Sequence, residues 1–318
     1  MKKIIITGSS GFIGSILRDE LLNQNFEVIG IDIIPSNVRR PNYLEFNFDI
    51  STQFDYIPPS LLSNVSCVCH LAAKIRVDES MKNPEMYYKH NVIGTINLLN
   101  WCLKNNIKNI LFASTAAVYG KLLEEGTPGY VEEDVGNPVS VYGQTKLTCE
   151  EIIKSYSSAY GFKGYIFRFF NVCGGSELNH GTPIHLLPLI INNILHNKDI
   201  QIFGTDYKTK DGTCVRDYIH LKDISRAFLL SIDKGFEDGI KTYNLGSGEG
   251  FTVKEIVDKI VEYYSEKGKT INVLIRDRRS GDFDMLIANS NLIKKELGWY
   301  PEHELNKMIS DTINSFSV

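Results

Sequence analysis

The sequence has 318 residues, of which 43% are hydrophobic and 23% charged, and only ten are proline. This composition is typical of a folded chain long enough for two lobes or one large α/β unit, and it excludes an intrinsically disordered protein. The net charge of −4 excludes a broad basic surface of the kind that binds nucleic acid.

In chain order, short apolar runs alternate with longer segments of helical period, which predicts an α/β fold with a doubly wound parallel sheet. We expect strands over residues 4–7, 27–31, 43–46, 65–71, 110–114 and 164–168. We expect helices over residues 12–22, 87–104, 142–160, 184–195 and 253–267. No apolar stretch is long enough to span a membrane, so we expect no membrane partner.

A glycine-rich turn separates the first predicted strand from the first predicted helix. Gly8, Gly11 and Gly14 allow the backbone N–H groups, including those of Phe12 and Ile13, to approach a pyrophosphate at the positive end of the helix. A tight turn without a ligand is the alternative interpretation. The strand-turn-helix setting favours a dinucleotide site.

The second predicted strand ends at an acidic residue, Asp32, 18 residues beyond Gly14. A carboxylate there can accept hydrogen bonds from a ribose diol and repels a 2′-phosphate, which favours NAD over NADP. A simple turn cap is the alternative. Further cofactor contacts are predicted where the next two strands end, at Asp49, Ile50, Leu71, Ala72 and Ala73.

The cysteines raise the question of a metal site. Cys67 and Cys69 would share one face of a strand while His70 points to the other, and no second ligand pair follows, so we predict core packing and no metal. The six cysteines lie in unrelated contexts. This arrangement predicts reduced thiols in a cytoplasmic protein.

A tyrosine and a lysine one helical turn apart, Tyr142 and Lys146, are the predicted catalytic pair. A tyrosine that acts as a base near neutral pH needs a pKa about three units below its usual value, and a neighbouring ammonium would lower it. Such pairs also occur on solvated helix faces, but the upstream glycine loop favours catalysis. Thr115, at the end of an apolar strand, is predicted to bridge the phenol and the substrate oxygen.

These motifs together resemble the extended short-chain dehydrogenase/reductase superfamily over nearly the whole chain. Residues 203–220 and 278–282 resemble the UDP-glucose 4-epimerase family specifically. The resemblance implies a Rossmann-type fold, bound NAD, a UDP-hexose substrate, inversion at C4 through a 4-keto intermediate, and a homodimer. It also implies substrate contacts from Thr115, Asn171, Leu186, Phe203, Arg216, Arg279 and Asp282.

The same fold also occurs in proteins with other activities, which the sequence distinguishes by individual residues. A nucleotide-sugar dehydratase needs an acidic pair after the threonine, where this chain has Ala116 and Ala117. A non-catalytic NAD-binding protein would be expected to lose Thr115, Tyr142 or Lys146. Leu286 occupies the position that gates 2-acetamido sugars in the family, so UDP-GlcNAc/UDP-GalNAc, a UDP-pentose or a UDP-uronate remain alternative substrates.

The domain organisation follows from a change of pattern near Asn171. We expect an NAD-binding domain over residues 1–172 and a smaller, discontinuous UDP-sugar lobe over residues 173–318. Segments near residues 215–235 and 241–247 include buried strands that are expected to return to the large sheet.

Overall fold

The computed structural model describes residues 2–52, 54, 57–120, 127–134, 136–177, 183–278 and 283–316. The strands are β1 (Lys3–Thr7), β2 (Glu27–Asp32), β3 (Tyr43–Asn47), β4 (Val65–His70), β5 (Asn109–Thr115), β6 (Lys163–Phe169), β7 (Asn171–Cys173), β8 (Ile200–Phe203), β9 (Val215–His220), β10 (Ile240–Leu245), β11 (Gly250–Thr252), β12 (Val273–Arg276) and β13 (Met285–Leu286). The α-helices are α1 (Phe12–Asn23), α2 (Val77–Lys82), α3 (Pro84–Tyr87), α4 (Gly94–Lys104), α5 (Val141–Tyr160), α6 (Leu186–Leu195), α7 (Leu221–Lys234), α8 (Val253–Ser265), α9 (Asn291–Leu297) and α10 (Leu305–Asn314).

The large sheet has the strand order β10-β6-β5-β4-β1-β2-β3. From β1 the chain first builds outward through β2 and β3, then returns to place β4, β5 and β6 on the other side of β1. This reversal makes the sheet doubly wound, and the predicted α/β class is confirmed. Ile4, Ile5 and Ile6 are fully buried, as expected for a central strand of a parallel sheet covered on both faces.

The chain divides into two compact units. The first unit comprises Met1–Gly120, Val135–Arg168 and Ile224–Tyr243, and the second comprises Lys121–Asp134, Phe169–Asp223 and Asn244–Val318. Each unit has its own apolar core. The first core includes Ile29, Val68, Leu98, Phe112, Ile153 and Ile166, and the second includes Ile190, Ile202, Tyr218, Ile256 and Met308.

Two predictions about individual segments need correction. β10 joins the large sheet as expected, but β9 lies in a four-stranded sheet with β7, β11 and β13. A buried apolar run predicts a strand, but it does not say which sheet the strand enters, and the rest of residues 215–235 is helix α7. The helix predicted over residues 87–104 is interrupted by a π-helical turn at Tyr88–Ile93.

None of the helices in the described part of the chain combines the length and the apolarity needed to cross a membrane.

Candidate active site

The glycine loop connects β1 to α1 in the first unit. Gly8 has φ of +76°, and a Cβ on Gly14 would lie 1.9 Å from the carbonyl oxygen of Gly8. α1 begins at Phe12, and its N-cap residue is Gly11, which has no side chain to cap the first N–H groups of the helix. The first turn of this helix, which includes Phe12 and Ile13, therefore has no side-chain cap from Gly11 and suits an anionic ligand.

Asp32, the last residue of β2, stabilises the glycine loop through hydrogen bonds. Its Oδ2 accepts a hydrogen bond from the N–H of Ser10 at 2.9 Å, and its Oδ1 accepts one from the N–H of Ile34 at 3.0 Å. Each carboxylate oxygen has two lone pairs, so one acceptor site on each oxygen is left for a ribose hydroxyl. Asp32 thus both holds the turn and can bind the sugar of a dinucleotide.

The backbone after β4 runs close beside the glycine loop. Thr7 accepts a hydrogen bond at its carbonyl from the N–H of Leu71 at 3.0 Å and at its Oγ1 from the N–H of Ala72 at 3.3 Å. A Cβ on Gly8 would lie only 2.8 Å from the nitrogen of Ala72. Only a glycine permits this approach, and Leu71, Ala72 and Ala73 are thereby brought to the predicted cofactor loop.

Asp49 and Ile50 follow β3 and contact the π-helical turn and α4. Burial raises the pKa of Asp49, but the hydrogen bonds from Ser51 and the nearby ring of His90 outweigh burial and hold the pKa below its ordinary value. Ile50 is buried, and its carbonyl accepts a hydrogen bond from Asn97 Nδ2 at 3.1 Å. The carboxylate of Asp49 is therefore charged at neutral pH and fixed in direction.

The start of α5 places Tyr142 near the end of β5. The Ser140 hydroxyl caps the helix by accepting the N–H of Gly143 at 3.0 Å. A Cβ on Gly143 would lie 2.4 Å from the carbonyl oxygen of Ala117, so the helix approaches the turn after Thr115 only because this residue is glycine. The Thr115 hydroxyl lies close enough to the Tyr142 phenol to lower the pKa of that phenol.

Lys146 lies one turn further along α5 and is 3% exposed. Its ammonium donates to the carbonyl oxygen of Ala113 at 2.8 Å and lies 4.8 Å from the centre of the Phe112 ring. Burial lowers the pKa of Lys146 to about 8, although the nearby Cys149 and Glu150 raise it. The structure thus brings Thr115, at the end of β5, together with Tyr142 and Lys146 at the start of α5.

The charge state of the phenol differs from the sequence-based expectation. Burial raises the pKa of Tyr142 to about 12, although the neighbouring Thr115 hydroxyl lowers it in part. The ammonium of Lys146 is turned toward Ala113 and does not make the phenol acidic in the chain alone. Use of this tyrosine as a base therefore requires a further positive charge when the site is loaded.

All these groups lie at the carboxyl edge of the large sheet. The strands β5, β4 and β1 are adjacent, Thr7 is in register with His70, and His70 is in register with Phe112. The winding direction reverses between β1 and β4, and ligands of doubly wound sheets bind at such points. The loop and strand ends of the first unit therefore fit a nicotinamide dinucleotide.

A network of buried polar side chains at this edge was not predicted from the sequence. His70 accepts from or donates to Thr7 Oγ1 at 2.7 Å and Thr95 Oγ1 at 2.9 Å, and Thr95 donates to the carbonyl of Asn91 at 2.6 Å. Asn91 also binds the backbone of Lys74 through both atoms of its amide. The π-helical turn makes this possible, because it places Asn91 inside the fold. A polar asparagine within an apolar helical pattern was the available signal.

The segment Cys67–His70 is packed inside the large sheet. Cys67 and Cys69 are fully buried in β4, and both ring nitrogens of His70 are engaged by threonines. Within the described residues no group of three or more His, Cys, Asp or Glu side chains is arranged to hold a metal ion.

In the second unit, three of the residues implied by the resemblance share one small sheet. Asn171 in β7 is in register with Tyr218 of β9, and Leu286 in β13 is in register with Arg216 of the same strand. Residues in register on neighbouring strands point to the same face, so Leu286 lies beside Arg216. Nη1 of Arg216 donates to the carbonyls of Val215 and Phe283, which fixes the guanidinium in place.

The other residues implied by the resemblance are placed elsewhere. Phe203 ends β8, which forms a two-stranded ladder with β12, and Leu186 is the first residue of α6. Arg279 and Asp282 lie outside the described residues. The sequence therefore names seven residues of this unit, including Leu286, and three of them lie on one small sheet.

The start of α6 is held by a pair that sequence reasoning missed. Glu177 adopts φ of +56° and accepts the N–H groups of Ile184 and His185 at 2.8 and 3.0 Å, as well as Nδ1 of His185. Burial raises the pKa of Glu177, but the contacts with His185 and the two N–H groups reverse this and lower it. The pair fixes the residue that precedes Leu186.

Comparisons with known proteins agree with this arrangement. The family model described as "NAD dependent epimerase/dehydratase family" matches residues 4–246. The UDP-glucose 4-epimerase of Corynebacterium glutamicum is 34% identical over 316 residues, which cover 97% of this chain and 94% of that protein. The crystal structure of UDP-glucose 4-epimerase from Bifidobacterium longum in complex with NAD+ and UDP has a TM-score of 0.87 and 30% identity, covering 99% of this chain and 98% of that one. The UDP-Glc/GlcNAc 4-epimerase of Campylobacter jejuni has a TM-score of 0.80 and 31% identity, covering 100% and 99%.

The fold and the site define a nicotinamide-dependent α/β enzyme. The chain belongs to the NAD dependent epimerase/dehydratase family, and the resemblance, the fold class and the use of NAD expected from the sequence are confirmed.

Proposed function

We propose that the chain interconverts UDP-glucose and UDP-galactose by NAD-dependent inversion at C4. The observation that carries this proposal is the grouping of Tyr142, Thr115 and Lys146 at the same sheet edge as the glycine loop. The curated UDP-glucose 4-epimerases that resemble the chain over nearly its full length support the choice of reaction.

In the proposed reaction Tyr142 removes the proton of the C4 hydroxyl while Thr115 orients that hydroxyl. When bound, NAD supplies the acceptance and return of a hydride at C4, and its oxidised ring carries a positive charge. Lys146 and the charged ring stabilise the phenolate form in which Tyr142 accepts that proton. After the 4-keto sugar has turned over, Tyr142 returns the proton to the oxygen, so the configuration at C4 is inverted without net oxidation.

The second unit is proposed to hold the UDP part of the substrate. By the resemblance, Asn171 and Leu186 contact the sugar nucleotide, Phe203 packs on the uracil, and Arg216 and Arg279 bind the diphosphate, with Asp282 on the uridine ribose. An arginine suits bidentate phosphate contacts, and an aromatic ring can stack on a base. The fixed guanidinium of Arg216 supports its assignment.

A second candidate substrate is the UDP-GlcNAc/UDP-GalNAc pair. Leu286 lies beside Arg216, so its side chain shares a sheet face with a proposed phosphate ligand. Leucine is shorter than the tyrosine that narrows the family's pocket. The Campylobacter jejuni enzyme, named as a UDP-Glc/GlcNAc 4-epimerase, provides a relative with both activities.

We also propose that the enzyme is a cytoplasmic homodimer. Exposed apolar side chains on α2 and along the π-helical turn, namely Met81, Tyr88 and Ile93, support pairing with a second copy, since apolar side chains exposed near one another favour an interface. The scattered cysteines support a reducing compartment. Sedimentation at several concentrations would test the dimer.

The test of the function is to incubate the purified chain separately with UDP-glucose, UDP-GlcNAc and UDP-GlcA, without added reductant, and to separate the products. UDP-galactose from the first arm is the expected result. Product only from the second or third arm would move the substrate assignment to that sugar. The absence of product in all arms, with NAD bound, would contradict the proposal.

A further inference from the structure

A fully buried charged cluster lies one helical turn beyond Lys146 in the first unit, and the proposed reaction does not use it. Glu150 on α5 is 0% exposed and Arg168 on β6 is 1% exposed. Glu150 Oε2 accepts from Arg168 Nη2 at 2.7 Å, and Oε1 accepts from Arg168 Nε at 3.0 Å and from the Ser114 hydroxyl. Arg168 also donates to the hydroxyl of Tyr119 at 3.3 Å.

The position of this cluster relates it to the catalytic residues. Tyr142, Lys146 and Glu150 are spaced by four residues along one helix, so they share a face. Ser114, which donates to Glu150, stands on β5 between Ala113, whose carbonyl accepts the Lys146 ammonium, and Thr115. The carboxylate is therefore bonded to the same strand end that holds both Lys146 and the catalytic threonine.

Stability alone does not account for such a cluster. Removing two charges from water costs about as much as their attraction regains, and apolar residues of similar volume often replace a buried ion pair without loss. A buried ammonium, in contrast, needs a nearby negative charge to stay protonated. The cluster supplies that charge one turn from Lys146.

The groups around Lys146 can be assigned element by element. Helix α5 contributes Tyr142, Cys149 and Glu150, and strand β5 contributes the Phe112 ring and the Ala113 carbonyl. Strand β4 contributes His70. Burial and the nearby lysine lower the pKa of His70 to about 3, so its ring is neutral. Of these, Glu150 brings a carboxylate matched by a bidentate arginine. Cys149 and Glu150 both raise the pKa of Lys146, but burial raises the pKa of the Cys149 thiol, so Glu150 is the group that brings a negative charge near neutral pH.

We propose that Glu150 is a positioning residue that keeps the Lys146 ammonium charged during catalysis, while Arg168 and Ser114 hold the carboxylate in place. The inference rests on the proposed function, because Glu150 acts through Lys146. It adds a role to the helix face that begins at Tyr142.

The test compares Glu150→Gln with Glu151→Gln in the NAD-loaded full chain. Glu151 is the next residue on the helix, is exposed, and pairs with Lys154 in an exposed contact, so it provides a matched loss of one charge. NMR of isotope-labelled lysine side chains, with Lys146 assigned through Lys146→Met, follows the titration of the ammonium directly. The pKa of Lys146 is expected to fall by about one unit in Glu150→Gln and to stay unchanged in Glu151→Gln.

The pH dependence of kcat provides the second measurement. Lys146 acts in its protonated form, so its contribution is present below its pKa and is lost above it. In Glu150→Gln the alkaline limb is expected to move down by about one pH unit, with kcat reduced about fivefold at pH 8 and much less at pH 6. The NMR titration does not depend on turnover, so absence of epimerase activity in the unaltered chain would contradict the proposed function and leave the NMR result to decide the effect of Glu150.

Glu150→Gln leaves Arg168 buried without its partner and can unfold the chain, so a double variant completes the design. Glu150→Gln with Arg168→Met removes both charges and is expected to fold while keeping the lowered pKa of Lys146. An unchanged pKa and pH profile in the double variant would overturn the proposal. Loss of the fold in both variants would assign the pair to stability and would overturn it as well.

Discussion

The two units hold their functional groups in different ways. The first unit gathers them at the ends of adjacent parallel strands and on one helix, and each is fixed by contacts that follow from those elements. The second unit draws its proposed substrate contacts from a four-stranded sheet, a separate two-stranded ladder and the start of a helix. The proposed catalytic and cofactor groups thus depend on compact backbone geometry, whereas the proposed substrate contacts come from side chains of distant segments.

The strongest test of this contrast is to remove the proposed base of the first unit. Tyr142→Phe deletes the phenol oxygen without changing the ring, so we expect kcat for epimerisation to fall by roughly 1000-fold, the range for a general base. Folding and bound NAD should be retained, as measured by thermal unfolding and by the NAD released on denaturation. Tyr160→Phe, at the exposed end of the same helix, is the control, and near-normal activity in Tyr142→Phe would remove the tyrosine from the mechanism.

Substitution within the glycine loop should have the next largest effect. Gly14→Ala places a Cβ 1.9 Å from the carbonyl oxygen of Gly8, a backbone clash that no rotamer relieves. We expect more than about 3 kcal/mol of lost stability or a loss of NAD affinity exceeding roughly 100-fold. Denaturant unfolding and NAD titration would measure these.

The control for Gly14→Ala is Gly161→Ala at the end of α5. Gly161 has φ of +71° with nothing within 4 Å of an added Cβ. Only backbone strain opposes that substitution, so it should cost about 1 kcal/mol and leave NAD binding unchanged. Equal losses of stability in the two variants would show that backbone strain, rather than the close approach of Gly14 to Gly8, accounts for the cost of both substitutions.

The same contrast explains what the sequence could predict. Gly8, Asp32 and the Tyr142–Lys146 pair are read from local spacing because one strand-turn-helix or one helix turn fixes their geometry. The π-helical turn around Asn91 and the sheet that receives β9 depend on contacts between segments far apart in the chain, which no local pattern encodes. The pKa of Tyr142 also depends on burial, so the expected effect of Lys146 on the phenol was wrong for the chain alone.

In the second unit, substitution of the residue beside Arg216 sharpens the contrast by changing substrate choice alone. Leu286→Tyr adds bulk to the sheet face shared with Arg216, so kcat/KM for UDP-GlcNAc should fall about tenfold relative to UDP-glucose. Met285→Tyr is the control, since neighbouring residues of a strand point to opposite faces. If the ratio of kcat/KM for the two substrates is unchanged in Leu286→Tyr, residue 286 does not contact the sugar.

The smallest expected effect concerns the pair that holds the start of α6. The pKa of Glu177 is lowered in the folded chain, so its stabilising contribution is present above the ordinary pKa of a glutamate and is lost as pH falls through the lowered value. Glu177→Gln keeps the shape but loses the charge that binds His185, and should cost about 1–3 kcal/mol at pH 7. That cost should shrink toward zero in strong acid, as denaturant unfolding at a series of pH values would measure. Glu262→Gln, exposed on α8, should show neither effect, and a cost for Glu177→Gln that does not vary with pH would contradict the role of the charge.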